Sequence, residues 1–206
     1  MTTDTLSPEA RESSVTQGLE VASMWRFSVE QYQQMIASGT IVEDAPVELL
    51  EGWIVTKMSK NPPHIYSTEE SAELIRDVLP RGYLIRRQDP ITTNDSQPEP
   101  DVSVIKGTRQ DFRARLPNLN ETVLVIEVSD ATLRRDHTVK QRIYASAGIP
   151  VYWIINLIDS VIEVYTQPLP EEKRYGEKNV YGLEDTLPFI LENKELATFT
   201  VKQFLP

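Results

Sequence analysis

Cysteine is absent from this 206-residue chain, and histidine occurs only at His64 and His137. Disulfides and thiolate metal sites are thereby excluded, and a zinc centre built on imidazoles has too few ligands. Any metal here would be held by oxygen. No apolar run approaches the ~18 residues of a membrane span. Met1 to Gly18 is polar and mixed in charge, unlike a secretory signal. The expectation is a cytoplasmic protein that does not touch a membrane. Positive charge is also scarce, with 21 Lys and Arg against 31 Asp and Glu and a formal net charge of -10. An acidic surface repels phosphate, which speaks against tight unassisted binding of nucleic acid. The deficit is uneven, however: residues 76–142 hold twelve Lys and Arg against ten acids, and the remainder nine against twenty-one. Arg86, Arg87, Lys106, Arg109, Arg113, Arg115, Arg134 and Arg135 are the candidates for meeting a phosphate backbone, with ordinary solvated charges an equal alternative.

The length suits one well-buried core, and the pattern divides into a loose leader over residues 1–22 and one domain over 23–206. Ser28, with Gln31 three residues on, is a capping-box signature for a helix to Ala37, ended by Gly39. Val47 to Met58 reads as a hairpin turning at Gly52, and Pro62-Pro63 as a loop with His64 just beyond it. Ser67 and Glu70 open a second helix that runs to Leu79, before Pro80 and Gly82. Strands follow at Tyr83–Ile85, Val102–Ile105 and from Val123. A helix over 138–147 ends at Gly148 with Pro150 beyond, and two more strands occupy 151–155 and 161–165. The charged stretch 171–179 reads as a loop, and 200–205 as a short final helix. Mixed elements predict an α/β or α+β domain around a central sheet flanked by helices.

The chemistry gathers at Asp101, at Glu127 inside the apolar run Val123 to Val128, and at Lys140 on the following helix. A carboxylate in an apolar strand is costly unless it is paired, hydrogen-bonded or bound to a cation. Alternation puts Glu127 and Ser129 on one strand face and Ile126 and Val128 on the other. A neighbouring strand beginning at Asp101 would bring two carboxylates together, and two such groups repel unless one is protonated or a cation lies between them. Magnesium suits that position; the alternative is a turn-capping Asp101 and a Glu127 paired with arginine. Asp136 and Lys140 share a helix face that Tyr144 continues, and can simply pair with each other. Glu48, Glu51 and His64 carry no signal of their own beyond a turn or loop setting.

Taken together, Val47-Glu48-Leu49-Leu50-Glu51-Gly52, Pro63-His64, Glu99-Pro100-Asp101-Val102, Ile126-Glu127-Val128-Ser129, Asp136, Lys140, Tyr144-Ala145, Ala147-Gly148-Ile149-Pro150 and Tyr152-Trp153-Ile154 carry a resemblance. The chain resembles the Uma-two family of restriction endonucleases, a branch of the PD-(D/E)XK superfamily, over about residues 25–205. The resemblance implies a restriction-endonuclease-like mixed sheet flanked by helices and hydrolysis of DNA phosphodiesters with Mg²⁺ or Mn²⁺. It also implies Asp101 and Glu127 as metal ligands, Lys140 as the catalytic lysine and Glu48 as a further acid. His64, Asp136, Tyr144 and Ser129 would be accessory. The superfamily places its lysine two residues after the second acid, where this chain has Ser129, so Lys140 would replace it from the next helix. Asn156 stands where the branch tends to carry aspartate.

The expected activity is therefore that of a magnesium-dependent deoxyribonuclease. A homodimer is expected because cutting both strands needs two centres, with 151–155 and 161–165 as candidate contact edges. The competing expectation is a catalytically idle nucleic-acid or protein-binding module of the same fold.

Overall fold

The computed structural model describes residues 24–42 and 44–206. The expected leader, residues 1–22, lies outside them. The first helix, α1 (Val29–Ala37), carries the anticipated capping box: Ser28 accepts from the Gln31 amide, and the Gln31 side chain accepts from the Ser28 amide. Strands β1 (Val47–Leu50) and β2 (Trp53–Thr56) form a hairpin through Glu51 and Gly52, both at positive φ. A two-residue turn of that kind matches the twist of its strands.

One expectation fails at the next element. Pro62 and Pro63 are not a loop; they are the first turn of α2 (Pro62–Val78), capped by Asn61, whose side chain accepts from the His64 amide. The first amides of a helix lack intrahelical partners, so proline costs nothing there and its fixed φ suits the helix. His64 is thereby held on a rigid turn.

Strand β3 (Tyr83–Arg86), β4 (Val102–Lys106), β5 (Thr122–Ser129), β6 (Val151–Asn156), β7 (Val161–Leu169) and β8 (Arg174–Gly182) form one six-stranded sheet in the order β3-β4-β5-β6-β7-β8. Only β5 and β6 run parallel. A parallel pair needs a crossover, and here it is a single helical passage: α3 (Leu133–Arg135), a π turn (Asp136–Lys140) and α4 (Gln141–Ser146). Gly148, at φ 69°, ends it as expected. The helical passage thus begins five residues before the expected 138.

The segment 171–179 is not a loop. After a short 3-10 turn at Pro170–Glu172 the chain re-enters the sheet as β8, whose charges are tolerated because it is an edge strand. Strands β9 (Thr186–Leu191) and β10 (Lys194–Thr200) form a separate hairpin that the sequence reading did not contain. The final helix is only a 3-10 turn, Val201–Gln203. Residues 151–155 and 161–165 are interior strands paired on both sides, so they offer no edge for a dimer contact.

The sheet has two apolar faces. On one, Ala72 and Ile75 of α2, Phe189 and Phe199 of the C-terminal hairpin and Phe204 beyond it cover Ile126, Val128, Trp153 and Ile155. On the other, Ile143, Tyr144 and Ala145 of α4 cover Val125, Tyr152 and Ile154. No helix among the described residues is long and apolar enough to cross a membrane.

Candidate active site

Strands β4 and β5 pair antiparallel with Val102 opposite Ile126, which sets Asp101 one residue before the pairing and Glu127 one residue beyond it. The Val128 amide donates to Asp101 Oδ2 at 2.9 Å and locks this placement. Glu127 points toward the crossover helix, because its neighbours Ile126 and Val128 are claimed by the opposite core. Ser129 Oγ donates to Asp136 Oδ2 at 2.7 Å, while Lys140 Nζ and Tyr144 Oη donate to Glu127 Oε1 at 2.9 and 2.6 Å. Four helical residues advance about 6 Å and two strand residues about 6.7 Å, so Asp136 and Lys140, one turn apart, meet the alternate strand positions Ser129 and Glu127, and Tyr144 reaches back to Glu127.

From the hairpin, Glu48 completes the cluster. Its Oε2 lies 3.4 Å from Lys140 Nζ and accepts from the Glu99 amide at 3.2 Å, and its Oε1 lies 3.6 Å from Arg135. From α2, His64 Nε2 stands 3.2 Å from Asp101 Oδ2. All five central groups are buried: Glu48 is 2 % exposed, Asp101 7 %, Glu127 4 %, Asp136 2 % and Lys140 6 %. The structure therefore gathers every sequence-derived site residue at the end of β5. Asp136 is not within ion-pair distance of Lys140 but is held by Ser129, and the partners of Glu127 are lysine and tyrosine, not arginine.

The electrostatics follow from four acids around one lysine. Burial pushes the Glu127 carboxyl well up; Lys140 opposes this, while Asp136, Asp101 and Glu48 reinforce it. Asp136 is raised by burial as well, against Lys140 and its hydrogen bonds to Thr132 and Ser129. Burial also works to raise Asp101, but His64, the Val128 amide and Lys140 outweigh it and hold that carboxyl below the ordinary range. Burial would lower Lys140, yet Glu127, Glu48, Asp136 and Asp101 together push it well up. Lys140 is an ammonium throughout the physiological range.

Among the described residues no three Asp, Glu or His side chains are already arranged around a common metal position. The donor chemistry nonetheless fits a hard cation. Glu127 Oε1 is taken by Lys140 and Tyr144, whereas Oε2 accepts no hydrogen bond among the described residues. Asp101 Oδ1 has only a long 3.4 Å contact from Gln88. Asp101, Glu127 and the intervening Val128 line one cleft, so two oxygens of an under-neutralised acid cluster remain available there.

Of the eight candidate phosphate-binding cations, only Arg135 lines this cleft. Arg87 pairs with Glu69, Lys106 with Glu192 and Arg115 with Glu121, while Arg86 and Arg115 lie over the Phe112 ring. Sequence reasoning missed Gln88, Lys57 and Asn61 at the cleft, and none of these carries a motif that would have marked it.

A family model described as Uma2, putative restriction endonuclease, matches residues 29–198. No curated protein matches. Among solved structures, a putative nuclease belonging to DUF820 from Anabaena variabilis superposes with a TM-score of 0.63 at 17% identity, over 86% of this chain and 97% of that one. At that identity the likeness establishes the shared fold.

Proposed function

Because this chain belongs to the Uma2 family of restriction-endonuclease-like proteins, we propose that the cluster at the end of β5 hydrolyses nucleic-acid phosphodiesters, DNA in the first instance, with Mg²⁺ or Mn²⁺. The observation that carries the reading is the pair of uncommitted oxygens, Asp101 Oδ1 and Glu127 Oε2, beside a buried ammonium in a cleft of about 400 Å³. Asp101 and Glu127 would hold the cation. When bound it supplies Lewis acidity and lowers the pKa of water.

The protein's own groups have separable roles. Lys140 cannot accept a proton in its charged state, so it serves as a fixed cation facing the charge that grows on the phosphoryl oxygens. Glu48 and Tyr144 hold it and Glu127 in register; Tyr144 also fixes which Glu127 oxygen is occupied. His64 keeps Asp101 ionised and oriented. Water attacks phosphorus in line, the P–O3′ bond breaks, and the products are a 5′-phosphate and a 3′-hydroxyl. The water proton leaves to solvent through the cleft, and the departing O3′ takes up a proton from solvent to become the 3′-hydroxyl.

Calorimetry with Mn²⁺ and cleavage of plasmid DNA test the assignment. Asp101→Asn and Glu127→Gln lose both metal binding and cleavage, by at least about 100-fold in rate. Lys140→Ala keeps metal binding and loses cleavage to a similar degree. Unchanged Mn²⁺ affinity in both acid variants refutes the metal site.

A further inference from the structure

Gln88 lines the acid cleft but holds none of its charged groups in place. Its position follows from the sheet. Strand β3 pairs with β4 with Arg86 opposite Ser103, and continuing that register by two residues brings Gln88 beside Asp101. The Gln88 amide fixes it there by donating to the Pro100 carbonyl at 3.0 Å. Strand β4 pairs with β5 with Val102 opposite Ile126, and one residue further brings Asp101 beside Glu127. Gln88, Asp101 and Glu127 therefore form one row across three neighbouring strands. Two members of the row are the carboxylates proposed for the cation, and the third is an amide next to them.

The backbone of Gln88 lies at φ 56°, in the left-handed region that a residue with a Cβ enters at a cost and glycine enters freely. Among the described non-glycine residues at positive φ, Gln88 alone lines the cleft. An outlier of this kind beside a reactive cluster points to a functional side chain. That side chain is uncommitted. Its Nε2 donates to Asp101 Oδ1 at 3.4 Å, too long to anchor the acid, which the Val128 amide at 2.9 Å and His64 at 3.2 Å already hold. An amide has two donors and one acceptor, and this one makes no other hydrogen bond among the described residues. It is thus a neutral donor beside the carboxylate oxygen left for the cation. A phosphate held there gains a hydrogen bond from an amide, where a further carboxylate would repel it. Resting on the phosphodiester reading above, we infer that Gln88 is a further catalytic residue: its amide donates to a non-bridging oxygen of the scissile phosphate and stabilises the charge that grows there in the transition state.

The test uses the full chain, with plasmid cleavage in Mn²⁺, Mn²⁺ affinity by calorimetry and thermal melting in chelator. Gln88→Gly removes the amide and suits the left-handed backbone, so its melting temperature stays at or above that of the wild type. It keeps its Mn²⁺ affinity and loses at least about 10-fold in kcat, with kcat/KM falling equally, as for a donor used in the transition state. Gln88→Glu keeps the shape, replaces the donors by acceptors, and retains Mn²⁺ binding while cutting at least about 10-fold more slowly. A wild-type rate in either variant overturns the inference. A parallel loss of Mn²⁺ affinity and rate in Gln88→Gly also overturns it, because the amide would then only orient Asp101. The two readings fail differently: a wild-type protein that binds Mn²⁺ and cuts no DNA or RNA removes the phosphodiester reading and the role of Gln88 with it, whereas an active wild type matched by Gln88→Gly removes only the role of Gln88.

Discussion

Asp101 and Glu127 stand side by side, but their environments drive them in opposite directions. Asp101 is lowered, so the folded state favours its charged form. Its contribution to stability is present above the ordinary value of 3.8 and is lost as pH falls through the lower folded value. Glu127 is raised, so its contribution is present below the ordinary 4.5 and is lost as pH rises through the higher folded value. At neutral pH without metal, Asp101→Asn therefore lowers the stability by about 1 to 2 kcal/mol for a lost charge-assisted network, and the melting temperature with it. Glu127→Gln leaves the melting temperature unchanged or raises it. Thermal denaturation of the two variants in chelator checks this, and equal destabilisation by both contradicts the assignment. The sign difference was not legible in the sequence, which argues only that both acids need partners. It depends on His64 and the Val128 amide reaching Asp101 while Asp136 and Glu48 crowd Glu127. What was legible was that Glu127, a glutamate inside an apolar strand, needs a partner; Glu48 and His64 carried no signal of their own and entered only through the family resemblance.

The crossover helix converts that strand position into a site, and its π turn carries Asp136, His137 and Lys140 together. His137 on the flank meets Glu163 of β7 at 2.9 Å, and Lys178, Tyr165 and Asn156 converge on the same carboxylate. Burial opposes ionisation of Glu163, but Lys178, Tyr165, His137 and Asn156 outweigh it and hold it at about 2. Its contribution is thus present above the ordinary 4.5 and fades as pH falls toward 2. Glu163→Gln is expected to cost about 1 to 2 kcal/mol at pH 7, after screening of the half-exposed Lys178 is allowed for. By loosening the π turn it also reduces cleavage several-fold while sparing Mn²⁺ affinity. Denaturant titration and calorimetry on one preparation check both effects. Asn156 takes part in this network as an amide, so an aspartate is not required beside Glu163. Elements with local signals were readable: the capping box of α1, the hairpin at Gly52 and the stop at Gly148. Strand β8 was not, because Glu177, Lys178 and Asn179 are loop-like in composition and only pairing with β7 makes them a strand. The proline pair was misread because a proline ends one helix and begins another with equal ease, and the Asn61 cap decides between them.

At the scale of the whole molecule, a net charge of -10 coexists with a site for which a polyanionic substrate is proposed. The mixed-sheet class was legible from alternating element types, whereas the way its cations are spent was not. Lys57 is paired with Glu99, Lys140 with Glu127 and Glu48, and Arg135 with Glu48 and the Thr56 carbonyl. Lys60 is the one cleft lysine or arginine with no ion pair among the described residues. Few cations of the cleft are left to displace counterions, so on the proposed reading attraction comes chiefly through divalent charge held by the acids. The logarithm of affinity falls with the logarithm of salt at about 0.7 per neutralised phosphate for single strands and about 0.9 for duplex DNA. With about one to three such contacts the slope is roughly -0.7 to -3, shallow for a protein that engages nucleic acid. Removing the divalent ion by chelation should reduce binding at every salt concentration, and Lys60→Ala should flatten the slope by about 0.7 to 0.9. Anisotropy titrations across a salt series measure both. A slope steeper than about -4, or binding indifferent to chelator, would mean that a basic surface outside this cleft carries the nucleic acid and that the acid cluster is not where affinity originates.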